Sequence, residues 1–275
     1  MIESLTVIIV TRHHRHVIEK TLASIRDQAV DELSVLVVDC GSGAEPWMER
    51  WNRRPGTTVV QLNVNLGFTG GNNRAWQSVR DRPGHVLFLN PDVIVPRGVL
   101  SSLSSVMARP GSERYGGWSV RLHRWDFVQD CPASGVDSTG IFPGFSGWSD
   151  RREGSPVEED RIESVPALCG AFFLAPISLL RSAELSPGVL WDSRYFAYKE
   201  DIELSLRLRR RGHSLAMWHG AHVYHGRGWS RQRRDVPRAA RLLSARNEVR
   251  LDLGYRPLHL PVSLAKWGLV RMFDL

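Results

Sequence analysis

Apolar positions along the first hundred residues alternate between two rhythms. Leu5–Val10 is a short run rich in β-branched residues, the signature of a buried strand. Val17, Thr21, Leu22, Ile25 and Ala29 then recur at three- and four-residue spacing, which predicts an amphipathic helix packed on a sheet. Leu33–Asp39 predicts a second buried strand, ending in a carboxylate and the turn Cys40-Gly41-Ser42-Gly43. Thr57–Leu62 and His85–Asn90 are a third and a fourth strand, and Val99, Leu103, Val106 and Met107 mark a helix after Pro96. Strands joined by helices imply right-handed parallel crossovers and an open, doubly wound α/β sheet. Such sheets bind ligands beyond the carboxyl ends of their strands. Polar residues stand at those ends here: Thr11, Asp39, Asn65, and Asn90 with Asp92.

From about Arg109 to Ser164 the rhythm lapses into Gly, Pro, Ser, Asp and Arg. That stretch is too long for a simple connection and is expected to be a functional loop or an excursion with short strands. Regular patterns return at Ala167–Leu174 and Ser214–His225, with a helix starting near Lys199 between them. Glu200, Asp201 and Glu203 fall in its first turn, where the helix dipole favours acids. The tail from Arg231 is basic and helical in pattern. The expected organisation is one domain over residues 1–230, with a C-terminal helical extension over 231–275. The domain divides into an amino-terminal half (about 1–110) and a second half (about 111–230).

Composition narrows the classes. The 275 residues are 42 % hydrophobic and 24 % charged, which excludes disordered, collagen-like and coiled-coil chains. No apolar run approaches the ~20 residues of a membrane span, and no signal peptide is expected before or after Leu5–Val10. Cys40, Cys131 and Cys169 are too few and too scattered for a disulfide frame or a zinc cage, so a reducing, cytoplasmic setting is expected. The net charge of +7 leaves nucleic acid, an acidic membrane face and a phosphorylated substrate as anionic partners. Of the 36 basic side chains only Lys20, Lys199 and Lys266 are lysine, leaving 33 arginines, a skew that genomic base composition also produces.

Several short motifs bear chemistry. Asn65–Asn73, followed by Arg74, is a glycine-rich segment whose backbone could approach a ligand and hold phosphate at a helix start. It has neither the dinucleotide-binding nor the P-loop spacing, and a bare strand-to-helix turn would read the same way. Asn90-Pro91-Asp92 ends a strand in a carboxylate suited to Mg2+ or Mn2+, or simply caps a turn. Glu200 and Asp201 can divide acid and base roles in a cleft. His225-Gly226-Arg227 offers an imidazole beside a flexible loop, while His13, His14 and His16 read as solvated loop residues.

Taken in order, these pieces resemble the family 2 glycosyltransferases of the GT-A fold, most closely the bacterial rhamnosyltransferase-type members. The matching segments are Val7–Thr11, Val37–Ser42, Asn65–Asn73, Leu89–Val93, Gly170–Leu174, Phe196–Asp201, Arg207 with Gly212, and His225–Ser230. The resemblance implies a nucleotide-diphosphate-sugar donor, with base and ribose near Thr11, Arg12 and Asp39, and makes about 1–110 the nucleotide-sugar half and about 111–230 the acceptor half. It places sugar and diphosphate near Asn65, Gly71, Asn72, Asn73, Arg74 and Asn90, with Arg227 on the diphosphate. Asp92 resembles the last acid of the family's metal-binding motif, Asn90 stands where its first acid often stands, and His225 resembles an additional ligand for Mg2+ or Mn2+. Asp201 resembles the catalytic base, with Glu200 as companion. Two departures touch donor-base recognition: Arg12-His-His-Arg-His16 replaces a segment usually bearing Asn, and Cys40 replaces a common Asn or Asp.

The implied activity is inverting, metal-dependent sugar transfer to the hydroxyl of a glycan, a lipid-linked saccharide or a natural product, with dTDP-L-rhamnose the first donor to consider. Acceptor contacts are expected around Cys131–Ser164, with Trp148 and Gly170 as candidates. The rivals are a nucleotidyltransferase and a sugar-nucleotide-binding scaffold without activity. No nucleic-acid-binding module is recognised. Leu258–Val270, with Lys266, Trp267 and Arg271, leaves peripheral contact with the inner membrane face open, and homodimerisation is open too.

Overall fold

The computed structural model describes residues 2–152, 160–226 and 236–273. The predicted βαβ rhythm is realised as β1 (Ser4–Thr11), α1 (Ile18–Arg26), β2 (Glu32–Cys40), α2 (Pro46–Asn52), β3 (Thr57–Leu62), α3 (Gly67–Val79) and β4 (His85–Leu89). A two-residue β5 (Val93–Ile94) and α4 (Val99–Met107) follow. The strands β3, β2, β1 and β4 lie side by side and parallel. Alternate residues of β1 face opposite ways: Leu5, Val7 and Ile9 join one core, Ile8 and Val10 the other. The first core takes Ile18, Leu22 and Ile25 of α1 and Leu100 and Leu103 of α4, and the second takes Ala75, Trp76 and Val79 of α3. Both faces are thus covered, as a parallel sheet of apolar strands requires.

The glycine-rich segment is not a free loop: Gly67 onward is already α3. A Cβ on Gly71 would sit 2.6 Å from Val10 Cγ1 and 2.9 Å from Cys40 Sγ. The glycine lets α3 lie directly on the ends of β1 and β2.

Residues 109–164 depart from the expected excursion. They contain β6 (Tyr115–Asp126), a twelve-residue strand inside the main sheet, then β7 (Cys131–Ser138), a hairpin of β8 (Ile141–Gly144) and β9 (Gly147–Asp150), and β10 (Ile162–Ser164). The periodicity is hidden because Gly116 and Gly117 occupy inward positions of β6. A Cβ there would meet His213 at 2.8 Å or Leu215 at 2.9 Å. Next come β11 (Phe172–Pro176), α5 (Ile177–Ser182), α6 (Glu200–Arg210) and β12 (Ser214–His225). The sheet order is β10-β12-β6-β11-β4-β1-β2-β3, with β11 antiparallel to β4. The buried Arg207 pins α6 by donating to Glu203 Oε1 at 3.0 Å, Leu190 O at 2.7 Å and Ala183 O.

The C-terminal segment forms α7 (Arg238–Tyr255) and α8 (Leu260–Phe273). It is not an appendage, since Asn247, Glu248, Leu251 and Asp252 of α7 are all buried. Among the described residues no helix is long and apolar enough to cross a membrane.

Candidate active site

The parallel strands end together. Thr11 of β1 is in register with Asp39 of β2. Asp39, fully buried, accepts the Ser42 N–H at 2.9 Å and the Ser42 hydroxyl at 2.5 Å, and Ser42 Oγ accepts the His13 N–H at 2.7 Å. The loops after β1 and β2 are thereby tied into one wall. Thr11 Oγ1 lies 3.4 Å from His14 Nδ1, while Arg12 is exposed. Burial lowers the pKa of His14, against the opposing pull of Asp92 and then Asp39. This placement was invisible in a run of three histidines that reads as solvated loop.

On α3, Asn65 Oδ1 accepts the Gly67 N–H at 3.0 Å and caps the helix start. Arg74 is exposed. Asn72 and Asn73 are buried and occupied. Asn72 donates to Phe68 O at 2.9 Å; Asn73 donates to Trp191 O at 2.7 Å and accepts the N–H of Trp191 at 2.8 Å and of Leu190 at 3.1 Å. Asn73 therefore fixes the 190–193 segment rather than presenting its amide to a ligand.

Beyond the end of β4, Asp92 directly precedes β5 and His225 ends β12, paired with Val93, so that Asp92 Oδ1 lies 3.4 Å from His225 Nε2. Asn90 Nδ2 is 3.3 Å from the same nitrogen. Behind the ring, His225 Nδ1 donates to Asp137 Oδ2 at 2.8 Å, and Asp137 is fully buried. Burial disfavours the imidazolium, but Asp92 and Asp137 outweigh it and raise the pKa to about 9. Burial likewise pushes Asp92 up, yet His225 and then His14 carry it below its ordinary value. Gly226 closes the corner: its N–H donates to Asp92 O at 2.8 Å, and a Cβ on it would strike the Phe127 ring at 2.3 Å. Asp137 had no signal in a Gly- and Ser-rich stretch.

These donors suit Mg2+ or Mn2+. A carboxylate backing the far nitrogen of a ligating histidine is the usual outer-shell arrangement. Octahedral cations with bonds of about 2.1 Å place neighbouring ligands roughly 3 Å apart, close to the Asp92–His225 separation. Among the described residues no cluster of three or more His, Cys, Asp or Glu side chains forms a complete cage. The remaining positions would fall to substrate oxygens and water.

The second centre is the head of α6. Asp201 Oδ2 accepts the Gly170 N–H at 2.9 Å, and Oδ1 accepts its neighbour Ile202 N–H at 2.8 Å. Burial raises its pKa against those two N–H groups, and Asp150 raises it further. Glu200 is 7 % exposed, its Oε2 has no hydrogen-bond partner among the described residues, and burial followed by the Asp201 charge lifts its pKa well above the ordinary carboxyl range. Gly170 thus holds Asp201, and a Cβ there would lie 3.2 Å from Asp201 Cβ. Trp148 is buried, and its backbone N–H donates to Glu248 Oε1 at 3.1 Å. Neither offers an open acceptor surface, and Arg227 lies outside the described residues. The turn that delivers Glu200 and Asp201 is strained, with positive φ at Phe196 (62°), Tyr198 (70°) and Lys199 (70°). Such conformations cost roughly 1–2 kcal/mol each and persist where surrounding structure over-determines them.

Residues 6–121 match the family model described as glycosyl transferase family 2. No curated protein sequence matches the chain. GalNAc-T7, solved with UDP, GalNAc and Mn2+, superposes with a TM-score of 0.66 at 14 % identity, over 99 % of this chain and 57 % of that one. The mannosyltransferase PcManGT of Pyrobaculum calidifontis, in complex with GDP-Man and Mn2+, gives 0.60 at 17 % identity, over 98 % and 75 %. TarS of S. aureus in complex with UDP-GlcNAc gives 0.55 at 16 % identity, over 98 % and 73 %. The chain therefore spans little more than half the length of GalNAc-T7 and about three quarters of the other two. Residues 6–121 thus resemble the glycosyl transferase family 2 model, and almost the whole chain shares the GT-A architecture of these structures.

Proposed function

We propose that the protein is a glycosyltransferase that moves a sugar from a nucleoside-diphosphate donor to an acceptor hydroxyl with inversion at the anomeric carbon. One observation carries this most: the Asn90 N–H donates to Ala171 O at 3.0 Å, so the Asp92–His225 pair and the buried carboxylates held at Gly170 lie at the same end of the sheet. The GT-A neighbours crystallised with UDP, GDP-Man, UDP-GlcNAc and Mn2+ support a donor of that class.

In this account the donor base and ribose lie over Thr11, Arg12 and Asp39. Asn65 and Gly71 set the start and the close packing of α3, while Arg74 and the Asn90 amide face the sugar-diphosphate; Arg227 is assigned to the diphosphate by the resemblance alone. Asp92 and His225 would hold Mg2+ or Mn2+, which when bound offsets the negative charge growing on the leaving diphosphate. Asp201 takes the proton of the acceptor hydroxyl as its oxygen attacks, through an oxocarbenium-like state. The N–H groups of Gly170 and Ile202 fix the orientation of that carboxylate. Glu200, raised by burial and then by the Asp201 charge, holds its proton, while burial and then Asp150 raise Asp201 from its ordinary value.

A thermal-shift panel of UDP-, GDP- and dTDP-sugars with and without Mn2+, dTDP-L-rhamnose among them, tests the proposal together with release of nucleoside diphosphate. Metal-dependent stabilisation by a sugar nucleotide, followed by transfer, is expected. Binding without release from any acceptor mixture would make the chain a scaffold, and pyrophosphate release from a nucleoside triphosphate would make it a nucleotidyltransferase.

A further inference from the structure

We infer that Asn247 of α7 is a positioning residue for Asp201, acting through the strained turn 195–199, a role that rests on the glycosyl-transfer function proposed above and deepens it. Asn247 is fully buried. Its Nδ2 lies within donating distance of three carbonyls of that one turn: Tyr195 O at 2.8 Å, Ala197 O at 2.9 Å and Tyr198 O at 2.8 Å. Its Oδ1 accepts from Arg250 Nη1 at 2.9 Å, and the same nitrogen donates to Arg194 O at 2.7 Å. The guanidinium fixes the amide's orientation, since a flipped amide would aim its oxygen at three carbonyls and its NH2 at a cation.

The bonds fall where the backbone most needs them. Positive φ at Phe196, Tyr198 and Lys199 places the last of these residues as the N-cap of α6, directly before Glu200 and Asp201. Rotation at these positions would swing the first turn of α6 and carry the Asp201 carboxylate off the Gly170 N–H. The neighbouring Glu248, also fully buried, adds an ion pair to Lys199 Nζ at 2.6 Å and takes the Trp148 backbone N–H, joining the β8–β9 hairpin to the same turn of α7. From the opposite side the Thr69 N–H of α3 donates to Phe196 O at 3.1 Å. The turn is therefore gripped between the donor-side helix and α7. A purely space-filling asparagine would not need three acceptors on one strained turn, nor an arginine to orient it.

The test compares Asn247→Ala and Asn247→Asp with wild type. Asp keeps the volume but replaces the donor NH2 with an acceptor oxygen, so clamping and space-filling separate cleanly. The expected result is a fall in kcat of tenfold or more in both variants, Asn247→Asp at least as severe as Asn247→Ala. Affinities for UDP, GDP and dTDP with Mn2+ should stay within threefold. Amide hydrogen exchange over residues 196–202 should quicken at least tenfold in both variants relative to the β1–β4 strands, a local change that general destabilisation would not reproduce. Wild-type kcat and exchange in Asn247→Asp would overturn the role. Should wild type release nucleoside diphosphate from none of the donors, the glycosyl-transfer function fails by itself, and the exchange comparison still decides the clamp.

Discussion

Replacing Glu200 by Gln isolates the electrostatic state of the carboxylate pair. Glu200 is almost wholly buried, and both burial and the adjacent Asp201 charge raise its pKa. A carboxyl whose folded pKa exceeds its unfolded value binds more protons folded than unfolded. Its stabilising contribution is therefore present below the unfolded value, near pH 4.3, and is lost as pH rises toward the folded value. The slope follows from linkage: about 1 kcal/mol is lost over the first pH unit above 4.3, then about 1.4 kcal/mol per unit until the pair ionises. Glu200→Gln removes this slope, because the amide does not titrate. Any constant penalty from the buried NH2 shifts the whole curve without tilting it. Urea unfolding of both proteins from pH 4 to 7 reads the difference directly, and carboxylates with lowered pKa, such as Asp92 and Glu184, cancel between them. The two curves should diverge steadily above pH 4.3, the variant gaining on wild type. Parallel curves would refute the claim that this pair holds a proton, and with it the physical basis for Asp201 as a base.

Gly71→Ala should lower stability by about 1–3 kcal/mol, because its Cβ would overlap Val10 and Cys40; a mid-helix glycine free of that contact would instead gain up to about 1 kcal/mol, so the sign of the change in Tm decides. Arg207→Ala should cost about 3–5 kcal/mol in urea unfolding by leaving the buried Glu203 unpaired, and a loss below 1 kcal/mol would contradict the pinning of α6. With a His225 pKa of about 9, binding of Mn2+ at pH 7.5 must expel close to one proton, its affinity rising with pH up to about 9. Calorimetry in buffers of different ionisation enthalpy measures that proton, and His225→Ala should abolish it; no proton release in wild type would remove His225 from the metal site.

The parallel half of the sheet was legible because each strand is a continuous apolar run bounded by polar residues, and the ends of those runs located Thr11, Asp39, Asn90 and Asp92. β6 was hidden by its glycine pair and by the His, Arg and Trp residues of its outer half, which break the apolar run. The glycine-rich segment was legible as a close approach, but not as the first turns of a helix. Asn72 and Asn73 show why residue type alone misleads: the amides that suit a ligand also suit buried backbone, and here backbone takes them. Asp137 and Asn247 depend on contacts across 88 residues and 49 to 52 residues, and His14 on the Coulomb field of two strand ends. No local spacing encodes such pairings.

The most direct measurement is Asp201→Asn under single-turnover conditions, with the donor identified by thermal shift and Mn2+ present. Transfer should fall by roughly 10²–10⁴-fold, while the donor dissociation constant stays within threefold of wild type. Transfer at the wild-type rate would contradict the assignment of Asp201 and the account built on it.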